Sequence, residues 1–442
     1  MHSRIPALSK WSLLLGNLFE HYDTALFSLL SPFLAPLFFP GQDPLIALIL
    51  TYCIIPLGMI ARPLGSLVFG YIGDTRGRKK ALVISLTGMA IITVFMGFLP
   101  TYQHVGFLAP IFLSIGRIFQ NFFGAGETMG GAIFLIEHTP ESHKDITSSF
   151  YNASTVAGVL LASVGVSLLG AFNLVQEYWR LLYLLGFPTV FFAILIRMKI
   201  TLEAPLINTS PSSSIKFMLT TCWTKRDALI TIAIAAGFSY ASYTMALVMI
   251  NGFVPLVTSI SKIEMMHLNT ILLAIDFLLL PLFGIISNRF SREKMMIVSG
   301  ALAMLSGVPL FWFLQGASLF AVIFIRLSLV IIGVWFSAPF HSWAQNLVPS
   351  SYRYTVISFA YAIGSQLLGG PTAAISLWLY QKTGWIVSVA WYWMLLGLFA
   401  SYLIAKQESL ARKRQEINLQ QGNSTQTGLS RASFSNLLQY KA

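Results

Sequence analysis

The chain is divided along almost its whole length into long apolar stretches. They lie near residues 11–39, 45–72, 81–100, 107–136, 147–170 and 179–199, then 228–256, 265–287, 295–314, 317–345, 353–380 and 385–405. A helix needs about 20 apolar residues to cross the ~30 Å hydrocarbon core of a bilayer, and the stretches match that length. A water-soluble chain of 442 residues would need a charged shell around its core. Only 10% of these residues are charged and 56% are hydrophobic, so hydrocarbon must cover much of the outer surface. The expected fold class is an all-α membrane protein with twelve transmembrane helices, and the lipid bilayer is its first partner.

The formal net charge of +12 raises the question of nucleic acid, and the placement of the charges answers it. Basic residues gather in short runs between apolar stretches: Arg76, Arg78, Lys79 and Lys80; Lys225 and Arg226; Arg289, Arg292 and Lys294; Arg412, Lys413 and Arg414. These runs follow every second crossing, as the positive-inside bias requires of cytoplasmic loops. The opposite loops, Pro40 to Pro44, Pro100 to Gly106 and Gln315 to Ser318, carry no Lys or Arg. A nucleic-acid face would need one basic surface interleaved with exposed aromatics, so no nucleic-acid partner is expected. Arg4 and Lys10 precede the first stretch, which lacks a small-residue cleavage pattern, so a retained first span with the N-terminus in the cytoplasm is expected. The twelfth crossing returns the C-terminus to the same side, and the expected location is the cell (inner) membrane. Cys53 and Cys222 imply neither a disulfide frame nor a metal site.

The stretches fall into two sets of six. Residues 1–200 form an N-terminal half, 201–227 a polar cytoplasmic linker, 228–405 a C-terminal half, and 406–442 a polar cytoplasmic tail expected to be disordered. An internal echo supports duplication. Gly70-Tyr-Ile-Gly-Asp-Thr-Arg-Gly-Arg-Lys-Lys closes the second span, and Gly284-Ile-Ile-Ser-Asn-Arg-Phe-Ser-Arg-Glu-Lys closes the eighth, its counterpart in the other half. Two pseudo-symmetric six-helix halves are therefore expected, alternating access around a site at mid-membrane.

An ionised side chain near the bilayer centre costs ~3 kcal/mol or more on insertion scales, so each needs a partner or a purpose. Glu20 and Asp23 sit on neighbouring faces of the first span, and Asn17, His21, Thr24 and Ser28 extend the polar stripe. A carboxyl group in an apolar medium, next to a second carboxyl group, can take and release a proton near neutral pH. Glu20 and Asp23 are thus the favoured proton-coupling residues, with Glu127 a further candidate. The static alternative is a pair between Glu20 and an arginine that locks the first helix to the fourth. On the fourth span Arg117, Gln120, Asn121, Gly124, Glu127 and Thr128 share one broad face. The Arg117 guanidinium near the midplane can hold a carboxylate by two bonds, and an ion pair with Glu20 or Glu127 is its alternative role. Candidate substrate-binding residues are Arg117, Asn17, His21, Gln120, Asn121, Tyr240 and Trp335. The aromatics among them can receive a quaternary ammonium by cation–π attraction. Arg62 and Asp276 occupy equivalent positions of the two repeats with opposite charge and are expected at helix interfaces, and Arg326 is expected to extend the polar cavity.

Several motifs resemble the major facilitator superfamily and, within it, the metabolite:proton symporters that include proline/betaine transporters. They are Gly16-Asn17-x-x-Glu20-x-Tyr22-Asp23, Ala61-Arg62-Pro63-Leu64-Gly65, Gly70-x-x-x-Asp74-x-Arg76-Gly77-Arg78-Lys79 and Arg117-x-x-Gln120 with Gly126-Glu127-x-x-Gly130-Gly131-Ala132. Trp179-Arg180, Glu203-Ala204-Pro205 and Tyr352-Arg353-Tyr354-Thr355 complete the set. The family usually has Trp and Phe where this chain has His21 and Thr24, so the first span here is more polar. The resemblance implies a gating loop at Gly70, Asp74, Arg76, Gly77 and Arg78, acting as a cytoplasmic latch. It implies proton symport of a small polar metabolite, first a zwitterionic osmolyte such as proline or betaine, with a di- or tricarboxylate as the alternative. A drug/proton antiporter is disfavoured because the fifth span, Ser154 to Ala162, lacks the Gly-Pro-x-x-Gly-Gly motif those proteins share. A non-transporting osmosensor ranks lower still. No metal-ligand or nucleophile constellation is present, so neither an enzyme nor a metal is expected, and the proton is the only coupling ion. No obligate protein partner is evident.

Overall fold

The computed structural model describes residues 7–76, 78–126, 128–137, 139–186, 223–348, 353–410 and 412–413. Helix occupies all twelve apolar stretches, the sixth being described over 175–186. The first span is Ala7–Phe38, and the second is the pair Pro44–Met59 and Ala61–Arg76. The third is Arg78–Gly97, the fourth Leu108–Gly124 with Thr128–Glu137, and the fifth Lys144–Ala171. In the second half spans seven to ten are Arg226–Val257, Lys262–Ser287, Arg292–Trp312 and Leu319–Asn346. The eleventh is built from Arg353–Ala362, Ile363–Gly369 and Thr372–Thr383, and the twelfth is Ile386–Leu410. Six of the described helices are long and apolar enough, by length and composition alone, to cross a membrane.

Local sequence explains where these helices start. Ser261 accepts from the Glu264 amide while the Glu264 carboxylate accepts from the Ser261 amide at 2.8 Å, a capping box that opens the eighth span. Ser291 and Ser318 cap the ninth and tenth in the simpler way. The seventh span begins at Arg226 and the twelfth runs to Leu410, a few residues past the 228 and 405 read from hydropathy. A helix does not stop where its apolar run does. Residues 201–222 of the expected linker and 414–442 of the expected tail lie outside the described residues.

Large apolar side chains face outward, with Phe320 82% and Leu305 72% exposed, as a lipid-facing surface requires. Small residues bring helices together inside. A Cβ at Gly158 of the fifth span would collide with the Leu18 carbonyl of the first. A Cβ at Gly364 of the eleventh would collide with the Ala233 carbonyl of the seventh, the matching place in the other half. Across the halves, the fifth and eighth spans share the most extensive contact. The second half departs from its twin at two π-helical turns, Thr244–Met249 and Ile363–Gly369. Each precedes a proline, Pro255 or Pro371, that cannot supply the next ladder N–H.

Candidate functional site

A cavity of about 140 Å³ opens between the two halves. The first half lines it with His21, Thr24 and Ser28 of the first span and Asn152 and Thr155 of the fifth. The second half contributes Ser239, Tyr240 and Tyr243 of the seventh span, Asp276 of the eighth and Tyr361 of the eleventh. His21 and Asp276 lie near the middle of their helices, so the cavity sits at mid-depth. No Lys or Arg is among its described lining residues.

Hydrogen bonds between the halves flank the cavity at both ends. At the end bearing the basic runs, Asn152 Nδ2 donates to the Ser337 carbonyl at 2.8 Å, and His341 Nε2 lies 3.0 Å from Asn152 Oδ1. Ser148 Oγ donates to the Ala338 carbonyl at 3.0 Å. Further out, Arg292 Nε meets the buried Asp145 carboxylate at 2.6 Å, and Ser342 also donates to Asp145. At the opposite end Tyr52 Oη donates to the Val248 carbonyl at 3.0 Å and Lys262 Nζ to the Pro32 carbonyl at 3.1 Å. Ser163 and Thr270 hydroxyls meet there at 2.8 Å.

The buried charges of the first half form a layer behind the cavity wall. Glu20 is 2% exposed and pairs with Arg62 of the second span, rather than with the fourth-span arginine expected as the static alternative. Gly124 makes room for that pair: a Cβ there would lie 3.2 Å from Glu20 Oε1 and 3.5 Å from Arg62 Nη2. Glu20 Oε2 also lies 3.7 Å from Nδ1 of the wall residue His21. Asp23, three residues on and so about 60° round the helix, meets different neighbours, the third and sixth spans. Its Oδ2 accepts from Thr93 of the third span at 3.0 Å, and its Oδ1 packs beside Gly186 of the sixth with no hydrogen-bond partner among the described residues.

Arg117 is 1% exposed and meets no carboxylate among the described residues; of its two alternative partners, Glu20 pairs with Arg62 and Glu127 lies outside the described residues. Its Nη1 donates to Gln120 Oε1 at 2.5 Å and to the Thr24 carbonyl at 3.4 Å, and its guanidinium lies 4.7 Å from the Phe27 ring centre. Its Nε has no hydrogen-bond partner among the described residues. Gln120 Nε2 donates to the Asp23 carbonyl at 3.1 Å, so Arg117 and Gln120 support the first span from behind.

Of the other expected site residues, His21 and Tyr240 line the cavity. Asn17 is buried and binds Ser154 and Thr155, joining the first span to the fifth. Asn121 donates to the Arg117 carbonyl of its own helix, and Trp335 packs on Phe283 at 5.6 Å, away from the lining. Glu127 and Gly77 lie outside the described residues, as do the side chains of Asp74, Arg76 and Arg78 and the surroundings of Gly70. Arg326, expected to extend the cavity, is instead sealed between helices. Its Nε donates to the Ala246 carbonyl at 3.0 Å, its Nη1 to the Met265 carbonyl at 3.4 Å and its Nη2 to Asn269. Asp276, expected at a helix interface, faces the cavity. The sequence does hold a signal for it, since Asp276 is the single acidic residue within the second set of apolar stretches.

Two similar helical halves around a polar pocket at mid-depth define a multi-pass membrane transporter, not an enzyme. The family model of the Major Facilitator Superfamily matches residues 13–373, and the chain belongs to that superfamily. It is similar to the proline/betaine transporter of Escherichia coli strain K12, 26% identical over 407 residues that cover 87% of this chain and 80% of the relative. It is likewise 26% identical, over 87% of its length and 79% of the relative's, to the glycine betaine/proline/ectoine/pipecolic acid transporter OusA of Dickeya dadantii. Among solved structures, a D-xylose-proton symporter shares the fold with a TM-score of 0.68 at 14% identity, covering 90% of this chain and 96% of that one. A POT family transporter in complex with 5-aminolevulinic acid gives 0.63 at 13% identity, covering 92% and 96%.

Proposed function

We propose that the protein imports a zwitterionic osmolyte of the proline or betaine class by proton symport, with the cavity as its substrate site. The observation that carries this reading is the lining: three tyrosines, small hydroxyls, His21 and one carboxylate, with no Lys or Arg. Such a wall suits a compact molecule bearing an ammonium group. A di- or tricarboxylate would need cationic partners in the wall, so that alternative loses ground. The relatives in Escherichia coli and Dickeya dadantii are transporters named for the same substrate class.

Glu20 and Asp23 are the favoured proton carriers. Asp23 is fully buried and has no cationic partner within ion-pair distance among the described residues, which suits a group that gains and loses a proton. Glu20 sits one contact from the cavity through His21, so a charge arriving there reaches the Glu20–Arg62 pair. The spare Nε of Arg117 is a donor that a carboxylate, the substrate's or a rearranged Asp23, would satisfy. In this reading the basic runs face the cytoplasm, both termini lie on that side, the two halves rock as bodies 1–200 and 228–405, and the loop at Asp74 latches them.

The test is uptake into proteoliposomes of labelled glycine betaine, proline and succinate, with and without an uncoupler. Betaine or proline is expected to accumulate uphill, to alkalinise the medium, and to lose accumulation with uncoupler. Asp23→Asn or Glu20→Gln is expected to abolish uphill uptake while sparing exchange. Normal accumulation by both variants rejects the proton assignment, and uptake of succinate in place of betaine rejects the substrate class.

A further inference from the structure

The second half holds one carboxylate within its apolar core, and nothing in its surroundings explains it structurally. Asp276 is 7% exposed and opens onto the cavity. No cation lies within ion-pair distance of it, and no hydrogen bond reaches its side chain, among the described residues. Buried carboxylates that only stabilise a fold are paired or hydrogen-bonded. Arg62, at the equivalent place in the first half, follows that rule through Glu20. Asp276 does not.

The wall around it is aromatic. Tyr240 and Tyr243 present rings with centres 6.0 Å apart and planes inclined at 53°, and Tyr361 lines the same cavity from the eleventh span. Inclined aromatic faces beside an uncompensated carboxylate recognise a bulky, weakly hydrated cation: the rings take its methyl or methylene shell and the carboxylate its net charge. The Gly237, Gly364 and Gly369 contacts hold the seventh and eleventh spans close enough to place Tyr240 and Tyr361 in one wall.

We propose that Asp276, with Tyr240, Tyr243 and Tyr361, forms an ammonium subsite on the second half that makes a positive charge on the substrate obligatory. The idea rests on the cavity being the substrate site and adds to it the substrate's orientation. Its cationic end lies on the second half, and its carboxylate faces His21 on the first. Substrate then bridges the two halves by opposite charges, and neither half alone completes the site.

The test uses the full-length protein in detergent or liposomes with three probes: glycine betaine, choline, and 3,3-dimethylbutanoate. The last has the shape of betaine, with carbon in place of the charged nitrogen. Betaine is expected to bind at least tenfold more tightly than 3,3-dimethylbutanoate, a comparison that needs no variant. Asp276→Asn, nearly the same shape, is expected to weaken betaine at least tenfold and to erase that preference. Tyr240→Leu, which removes the ring, is expected to weaken betaine threefold or more, and unchanged affinity in that variant overturns the aromatic part of the subsite. Equal binding of betaine and 3,3-dimethylbutanoate by the natural protein overturns the subsite, as does unchanged betaine affinity in a folded Asp276→Asn protein. If betaine is neither bound nor carried, choline decides. Choline binding lost in Asp276→Asn keeps the ammonium subsite and rejects the osmolyte function, whereas failure to bind choline rejects both.

Discussion

Arg117 and Arg326 sit at matching places on the fourth and tenth spans, are both buried, and live different lives. Arg326 spends every nitrogen on a partner: two backbone carbonyls and Asn269. It fastens the tenth span to the seventh and eighth. Arg117 reaches the Thr24 carbonyl of the first span at 3.4 Å, leans on Gln120, and leaves Nε without an acceptor among the described residues. Close by, Asp23 Oδ1 is also without a hydrogen-bond partner among the described residues. The first half thus carries unfulfilled charge behind the cavity wall. The second carries a fully satisfied arginine and turns the buried carboxylate of Asp276 into the cavity. The two halves share a scaffold, yet their buried polar groups are placed differently: Arg326 is spent on packing, while Asp276 faces the cavity.

Five substitutions would break or sharpen this comparison. Gly158→Leu and Gly364→Leu place side chains onto backbone carbonyls that cannot retreat, and each should cost more than ~3 kcal/mol and remove folded protein. Recovery of a monodisperse peak in size-exclusion chromatography for either would show that the matched helix contacts are looser than the geometry implies. Arg326→Leu strands three buried acceptors. It should lower stability by about 3 kcal/mol, read as a reduced thermal midpoint in detergent. Arg292→Ala leaves the Asp145 carboxylate with Ser342 alone and should weaken the basic end by about 2 kcal/mol. A cysteine placed at Ser337 should then react faster with a membrane-impermeant reagent added on that side. Arg117→Leu breaks two hydrogen bonds and strands no backbone acceptor but the Thr24 carbonyl, for which about 1 kcal/mol of stability is expected, while uptake falls far more than stability. Should Arg117→Leu unfold the protein as readily as Arg326→Leu, the contrast between the two arginines fails.

The division into spans was readable from hydropathy because burying helical backbone in lipid demands long apolar runs. The pseudo-repeat was readable from Gly70 and Gly284 at matching span ends. The polar stripe of the first span was readable too, and the structure brings His21 of that stripe to the cavity together with Tyr240. Pairing was less accessible. Glu20 could have met Arg62 or Arg117 by residue type alone; Gly124, which gives the Arg62 pair its room, is 62 positions along the chain from Arg62. The π-helical turns in the seventh and eleventh spans escaped because a proline in a membrane helix is compatible with a kink, a bulge or an intact helix. Its neighbours decide among these outcomes.

What the sequence determined by itself was one-dimensional: which segments cross, which end carries the basic loops, and which ionisable groups are taken into the apolar core. Those facts depend on the transfer of each segment from water, and they are additive along the chain. The tertiary structure decided the rest. It set which of those groups face the cavity, which are locked to one another, and which are left with an unfilled bond. A helix buries polar groups on every side with similar ease so long as a partner waits there. Only the rotation of each helix against its neighbours turns Asp276 into the cavity, Arg326 into packing and Asp23 away from both.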